Sequence, residues 1–231
     1  MKSFKLVWLT FLLAVFCFVL SWGPRTNAQQ KQNKNLCFRW AFGAIAKGEH
    51  KPTFFAVTRD TALKTGDKLK MLVELEKKCF VYVIYHSAQD EVMILFPYDM
   101  QQFTGDYAPG KRYYIPQGDR WFELDQNVGR ETFYLLASAQ RLVELEGLFS
   151  TYTTADPAKK QGLAKQILTE IRTIKRQHRK LTTFAERPVS VGGSVRAITE
   201  DEKAFRPDVA TIAVEISATD FFSRAFTIDH R

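Results

Sequence analysis

Residues 80–96 read FVYVIYHSAQDEVMILF, and this stretch decides the fold class. Phe80–Tyr85 and Val92–Phe96 are runs of β-branched and aromatic residues that have the length of a strand. Ser87–Asp90, which lies between them, is polar and suits a turn, so the stretch predicts a β-hairpin. The same pattern recurs at Trp121–Leu124 and Thr132–Ser138. The sequence therefore predicts a core made mainly of β-strands.

Further strand-like segments lie on both sides of this stretch. Alternation of apolar and polar residues predicts a half-buried strand at Leu69–Leu75. Arg141–Phe149 is compatible with a short helix or with the end of a strand. Short strands separated by turn residues predict a mainly β fold, an antiparallel β-sandwich that is Ig-like in general architecture. Other apolar runs predict strands at Leu36–Ala46, Phe54–Val57, Val209–Ile216 and Ala225–Ile228.

One segment departs from the β pattern and predicts a single inserted basic amphipathic α-helix. Asp156 is a suitable N-cap, and Pro157 suits the first helical position. The formal net charge of the chain is +8, and this segment is rich in lysine and arginine. We expect a helical insertion over about residues 156–184 of a single sandwich domain that spans 36–231. Its apolar residues recur three or four positions apart, at Leu163, Ile167, Ile171 and Ile174.

The basic end of this helix has two interpretations. Charged helix faces most often stay in water while the apolar stripe packs on the core. Alternatively, the cations bind an acidic partner or an anionic membrane surface. Peripheral membrane contact is the weaker case because the stripe lacks tryptophan and phenylalanine, and nucleic acid is not expected because no aromatic residues lie between the cations for base stacking. The candidate binding residues are Lys175, Arg176, Arg179 and Lys180.

The first 28 residues predict a secretory signal peptide. Lys2 and Lys5 precede the apolar run Leu6–Leu20, and Thr26–Ala28 supplies small residues for cleavage after Ala28. The alternative is an uncleaved N-terminal membrane anchor, since the apolar run approaches the length of about 20 residues that spans a bilayer. We expect residues 29–35 to be a disordered mature N-terminus and the protein to be exported.

Two cysteines remain after the predicted signal peptide, Cys37 and Cys79. An oxidising compartment converts paired cysteines to disulfides, which predicts a bridge between them. The alternative is two buried free thiols, since cysteine is among the residue types most often buried.

Several short motifs resemble one family in their order along the chain. They are Gly66–Leu69, Val81–Tyr85, Leu95–Pro97, Tyr114–Pro116 and Gly129–Glu131. These motifs resemble the bacterial extracytoplasmic family called domain of unknown function 4384, over about residues 60–140. The resemblance implies a location in the periplasm or at the cell surface of a bacterium. It implies no catalytic residues, because no activity is established for the family.

The sequence offers no recognisable catalytic or metal-binding motif. None of the four histidines has a partner at metal-ligand spacing. His86 is followed by Ser87 and Asp90, but catalytic triads assemble from separated segments rather than within one turn. Asp99 and Asp106 lie without the spacing of a calcium loop. We therefore predict no catalytic residues, no metal and no cofactor, with an unrecognised envelope hydrolase that uses His86 as the alternative.

The loop between Tyr98 and Gly110 is the best candidate site. It carries Tyr98, Phe103 and Tyr107, and aromatic residues on loops at the end of a sandwich commonly form recognition surfaces. Equally, these rings could fold back and cap the core. The leading hypothesis is an exported, non-catalytic β-sandwich module that binds another cell-envelope protein or an anionic surface polymer. The sequence does not indicate an oligomeric state.

Overall fold

The computed structural model describes residues 35–48, 51–178, 184–188 and 207–231. All of them lie in one compact unit, which runs from Lys34 to Arg231. The predicted signal peptide and most of the predicted mature N-terminus lie outside the described residues. So do two of the candidate cations, Arg179 and Lys180.

The described strands form two sheets. In chain order the strands are β1 (Asn35–Ala46), β2 (Thr53–Ala56), β3 (Asp60–Leu63), β4 (Lys68–Leu75), β5 (Phe80–His86), β6 (Val92–Phe96), β7 (Arg112–Ile115), β8 (Phe122–Glu123), β9 (Gly129–Ser138), β10 (Phe184–Pro188), β11 (Val214–Thr219) and β12 (Phe221–His230). The first sheet has the order β10-β11-β1-β4-β7, with β2 paired to β1 and β8 paired to β4. The second has the order β3-β12-β9-β5-β6.

The two sheets pack face to face through aromatic side chains, which confirms the predicted mainly β, sandwich-like fold. The inward face of β1 presents Phe38, Trp40 and Phe42. Their ring centroids lie 6.0, 5.8 and 5.0 Å from those of Phe222, Phe226 and Phe133, respectively. The Phe38–Phe222 and Phe42–Phe133 pairs are edge-to-face, and aromatic pairs add roughly 0.5–1.5 kcal/mol each beyond the burial of their area. The pairing of β3 with β12 is parallel, whereas the other described strand pairs are antiparallel.

Two described helices lie between β9 and β10: the predicted inserted helix and, before it, one in the segment Arg141–Phe149, for which the sequence left open a short helix or the end of a strand. They are α1 (Val143–Thr154) and α2 (Pro157–His178). The predicted apolar stripe is confirmed at Ile167, Ile171 and Ile174, which are buried, while Leu163 is half-buried. The helices cover the outer face of the second sheet: the Tyr82 hydroxyl on β5 donates to Glu146 of α1 at 2.6 Å. None of the helices in the described ranges has the length and apolar character needed to cross a membrane.

α2 is described as far as His178, and residues 179–183 of the predicted insertion lie outside the described residues. His178 occupies the next stripe position after Ile174, and its ring stacks on Phe221 at a centroid distance of 4.5 Å. Phe184 begins β10. The predicted strand Val209–Ile216 was wrong in its first half. Val209–Ile212 is a 3-10 helix whose buried residues pack on Ala41 and Leu72, on the outer face of the first sheet.

Cys37 and Cys79 are free thiols in this structure, so the predicted disulfide is not present. Cys37 faces away from the core side of β1, where Ser217 Oγ lies 3.6 Å from its sulfur. Cys79 is fully buried in the core cluster. Burial raises the pKa of Cys79 to about 12, which keeps this thiol protonated at neutral pH.

Candidate functional site

The loop that follows β6 borders an open groove of about 480 Å³. The groove lies along β7, the last strand of the first sheet. We call it the loop groove. Its lining residues are Tyr98, Asp99, Gln101, Gln102, Asp106, Lys111, Arg112, Tyr113, Tyr114, Gln117 and Gly118.

Local hydrogen bonds shape the first half of the loop. Asp99 caps the 3-10 helix Met100–Thr104 by accepting the Gln101 amide at 2.8 Å. The Tyr98 amide donates to the side chain of Gln102 at 2.9 Å. Hydrogen bonds within the loop thus hold the side chains of two lining residues, Asp99 and Gln102. A surface that is already ordered loses less conformational entropy when it binds.

The second half of the loop is tied to the first sheet. Gly110 has a φ of +80°, which favours glycine, and its amide donates to Leu75 O at 2.6 Å. The hydroxyl of Tyr113 accepts the Ala108 amide and donates to Asp106 O, both at 3.1 Å. The loop is therefore anchored at β4 and at β7.

The three aromatic residues of the loop divide between the two predicted roles. Phe103 and Tyr107 are buried and cap the core. The Phe103 ring packs 5.2 Å from that of Tyr82, and the Tyr107 hydroxyl accepts the Val81 amide at 3.0 Å. Tyr98 is 36% exposed and lines the groove. Phe103 and Tyr107 therefore take the capping position, the second of the two alternatives, because their rings point inward although their chain segment is exposed.

Tyr98 is held with its hydroxyl on the neighbouring strand. The hydroxyl donates to Tyr114 O at 2.6 Å, and the ring packs against Phe96 at a centroid distance of 5.3 Å. Burial raises the pKa of Tyr98 to about 12, so the phenol stays protonated at neutral pH. Tyr98 therefore supplies a fixed, neutral aromatic surface.

The two cationic side chains that line the loop groove are paired with carboxylates of the chain. Lys111 binds Asp106, and this hydrogen bond raises the pKa of Lys111. Arg112 Nε lies 3.0 Å from Glu74 Oε2. Phenol and amide groups make up most of the remaining side-chain lining. The groove thus offers donors and acceptors without a strong charge of either sign.

Lys70 holds the segment 118–120, which borders one end of the loop groove, through hydrogen bonds to its backbone. It is a buried lysine on β4, and its ammonium donates to Gly118 O at 2.5 Å and to Arg120 O at 2.6 Å. The ammonium also lies 5.5 Å from the ring centroid of Tyr114. Burial lowers the pKa of Lys70, although nearby carboxylates act in the opposite direction. Lys70 is a residue that sequence reasoning missed, because it looks like an ordinary exposed position of an alternating strand.

Residues 62–141 match a family model described as Domain of unknown function (DUF4384). This match confirms the resemblance, which the motifs placed at about residues 60–140. It includes every residue that lines the loop groove and excludes α2. The bacterial and extracytoplasmic parts of the prediction stay predictions. No curated protein and no solved structure gave a significant match.

The candidate cations of α2 lie outside the DUF4384 segment. Lys175 is half-buried and Arg176 is exposed. Arg176 Nη2 lies 3.4 Å from Thr173 Oγ1 of the same helix. The structure therefore places two of the four predicted cations at the end of α2, and neither of them lines the loop groove.

Inside the DUF4384 segment, His86 belongs to a turn network. His86 Nε2 lies 3.1 Å from Asp90 Oδ1. The hydroxyl of Ser87 accepts the amides of Gln89 and Glu91 at 3.2 and 3.1 Å. Ser87 thus acts as a turn acceptor, and its hydroxyl has no hydrogen bond from His86 among the described contacts. Within the described ranges, no group of three histidine, cysteine or acidic side chains could hold a metal ion.

The sequence analysis did not predict that His230 is buried. His230 is 2% exposed; its Nδ1 lies 3.3 Å from Glu131 Oε1 and its Nε2 lies 3.1 Å from Thr65 Oγ1. The available signal was the alternation of strand β12, which puts His230 on the same face as the buried Phe226 and Ile228. Its partner Glu131 comes from β9 and can be identified only from the register of the two strands.

Proposed function

We propose that this protein is an exported, non-catalytic β-sandwich module that binds an extended segment of another cell-envelope protein in the loop groove. The observation that carries the proposal is a pre-ordered, open groove beside an edge strand, inside the segment that matches the family. Signal-peptide cleavage and location in the bacterial envelope are parts of the same proposal and rest on the sequence.

The chemistry of the groove supports a polypeptide ligand. Extended peptides commonly bind by adding a strand to an exposed sheet edge, where main-chain hydrogen bonds give affinity. β7 is such an edge. Tyr114 belongs to it, and Tyr98 lies beside it with its hydroxyl on Tyr114 O. Amide and phenol groups suit the neutral main chain of a peptide. The internal pairing of Lys111 and Arg112 supports a protein partner over an anionic surface polymer.

A binding role also fits the state of the ionisable groups. A general base or nucleophile needs an accessible group whose pKa lies near the working pH. The phenol of Tyr98 has a raised pKa, and the two lining cations are engaged with carboxylates. These features favour recognition over catalysis at the loop groove.

For α2 we propose a supporting role. Its buried face, with Ile167 and Ile171, contributes to the same core cluster as the sheets. The exposed Arg176 favours solvent or an acidic partner. Membrane-surface attachment is the weaker proposal for this helix end.

The test is recovery of binding partners from envelope extract by the mature protein at about physiological salt. The double variant Gln101→Arg/Gln117→Arg places two bulky cations in the loop groove at exposed positions. The matched control, Gln140→Arg/Gln161→Arg, adds the same charge at exposed positions elsewhere.

We expect the groove variant to recover at least about tenfold less of the protein partner than the wild type and the control recover. Circular dichroism melting of all three proteins checks that the fold is unchanged. Equal recovery by the groove variant and wild type would refute the proposal. Recovery only at low salt, or only of lipid or acidic polymer, would move the function to the basic end of α2.

A further inference from the structure

A second pocket, of about 310 Å³, opens where the edges of the two sheets approach each other. The second sheet contributes β6, its last strand, and the first sheet contributes the short strand β8. Its lining includes Met93 and Leu95 of β6 and Phe122 of β8. We call this cavity the acidic pocket. None of the residues described as lining it also lines the loop groove.

The β6 strand carries neither a charged residue nor a proline, although its pairing with β5 contains a bulge at Val83/Ile84 and its Val92 amide lies 3.5 Å from the Tyr152 hydroxyl of α1. Exposed edges normally carry charged residues or proline, which prevent pairing with other chains. β6 reads VMILF without a charge, and Met93 is 56% exposed. An apolar edge of this kind is able to accept a further strand.

The rim of the pocket is negative. Its lining includes the carboxylates Glu91, Glu123, Asp125 and Glu131 and no lysine, arginine or histidine among the described residues. Lys68 approaches Glu123 from outside the lining, with its Nζ 3.7 Å from Oε2. The acidic pocket therefore combines apolar walls with an excess of negative charge.

Two of these carboxylates are held in place. Glu131 is buried, receives a hydrogen bond from the Tyr85 hydroxyl and lies beside His230. Asp125 accepts the backbone amide of Asn127 at 2.8 Å. Fixed carboxylates beside an apolar wall match a side chain that has an apolar stem and a cationic head. Lysine and arginine are such side chains.

From this charge complementarity, we propose that the acidic pocket binds an extended basic segment of a partner protein, with lysine or arginine at every second residue. The segment pairs with the β6 edge. Because side chains alternate across a strand, every second residue faces the pocket. The stems of those residues cover Met93, Leu95 and Phe122, and their charged heads reach the carboxylates. This site is independent of the loop groove.

The probe is a fluorescein-labelled peptide of alternating lysine and threonine residues, with the length of an ordinary strand. Two control peptides are an alternating glutamate–threonine peptide and a peptide of the same composition with all lysines in one block. Fluorescence anisotropy at about physiological salt measures the affinity of the full chain for each peptide. We expect the alternating lysine peptide to bind at least about tenfold more tightly than either control.

The first variant, Glu91→Gln/Glu123→Gln, removes two exposed carboxylates from the pocket, and we expect it to weaken binding about tenfold or more. Its matched control, Asp60→Asn/Glu144→Gln, removes two exposed carboxylates elsewhere and should bind as wild type does. The second variant, Met93→Lys, puts a competing cation in the pocket, with Val143→Lys at the 62% exposed Val143 as its control.

Three results would overturn the proposal: no binding of the alternating lysine peptide, equal binding of the block peptide, or equal losses in the pocket variants and their controls. The variant Gln101→Arg/Gln117→Arg separates the two sites. It should no longer bind the partner of the loop groove but should still bind the lysine peptide. A negative result for one of the two sites therefore does not refute the proposal for the other.

Discussion

The loop groove and the acidic pocket both lie beside strands at the sheet edges, but they differ in how far their charged side chains are neutralised by partners of the same chain. In the loop groove, Lys111 and Arg112 are paired with carboxylates of the same chain. In the acidic pocket, carboxylates outnumber the cations that reach them. The first site suits neutral main chain, and the second suits a cation. One sandwich can thus offer two recognition surfaces that differ in salt dependence and in the structure that supports them.

The largest expected effect comes from removing the support beneath the loop groove. Phe103→Ala deletes a buried ring that packs on Phe80 and Tyr82, and truncations of this kind cost about 3–5 kcal/mol. Met93→Ala, at the exposed edge of the acidic pocket, should cost about 0.5 kcal/mol or less. Urea unfolding measures both values. Equal losses of stability in the two variants would show that packing beneath the loop groove contributes no more to the fold than the exposed edge of the acidic pocket does.

Salt gives the next largest contrast. Screening shortens the reach of charges as ionic strength rises. Between about 50 mM and about 500 mM salt, we expect the affinity of the lysine peptide for the acidic pocket to fall about tenfold. Retention of a partner by the loop groove should change about twofold or less over the same range. Anisotropy and quantitative pull-down measure the two responses, and a steep salt dependence at the loop groove would remove the contrast.

A smaller effect is expected from Tyr98→Phe. This change removes the hydroxyl that donates to Tyr114 O, and a typical hydrogen bond contributes about 0.5–1.5 kcal/mol. We expect a stability loss in that range, together with weaker partner retention by the loop groove. The same change at the half-buried Tyr152, whose hydroxyl lies 3.5 Å from the Val92 amide, serves as the comparison. If Tyr98→Phe leaves both quantities unchanged, Tyr98 does not position the groove.

The smallest effect concerns the pH dependence of stability at the acidic pocket. Burial raises the pKa of Glu131 above its ordinary value, although hydrogen bonds from His230 and Tyr85 oppose the shift. A carboxyl with a raised folded pKa binds more protons in the folded chain, so its contribution to stability falls as pH rises above about 4.5.

Wild type should therefore lose stability relative to Glu131→Gln between about pH 4.5 and pH 7. Urea unfolding of both proteins at several pH values measures the difference. Glu144→Gln, on the exposed face of α1, should run parallel to wild type. A difference of the opposite sign would mean that the partners of Glu131 outweigh its burial.

Sequence patterns predicted the strands that combine strong β-propensity with clear turn signals. Val92–Phe96 was predicted with the bounds observed, and Phe80–Tyr85 and Leu36–Ala46 differ from the observed strands by one residue. The start of α2 followed from Asp156 and Pro157. These features depend on local chemistry, which the sequence contains directly.

The remaining features depend on which way a side chain points and on which distant residue the fold brings next to it. The outward orientation of Cys37, the burial of Phe103 and Tyr107 and the contact of His230 with Glu131 all follow from tertiary packing or strand register. The loop groove was predicted as a loop, but only the structure separates Tyr98 from the two capping rings. The acidic pocket was not predicted, because its residues come from distant parts of the chain.

Lys70 has a consequence for the way the far end of the loop groove opens. A single ammonium holds Gly118 O and Arg120 O, two residues apart, against β4. Departure of this segment would free both carbonyls and expose a buried cation in one event. Its backbone amides should therefore exchange with deuterium together, as a cooperative unit, rather than one at a time from the tip of the turn.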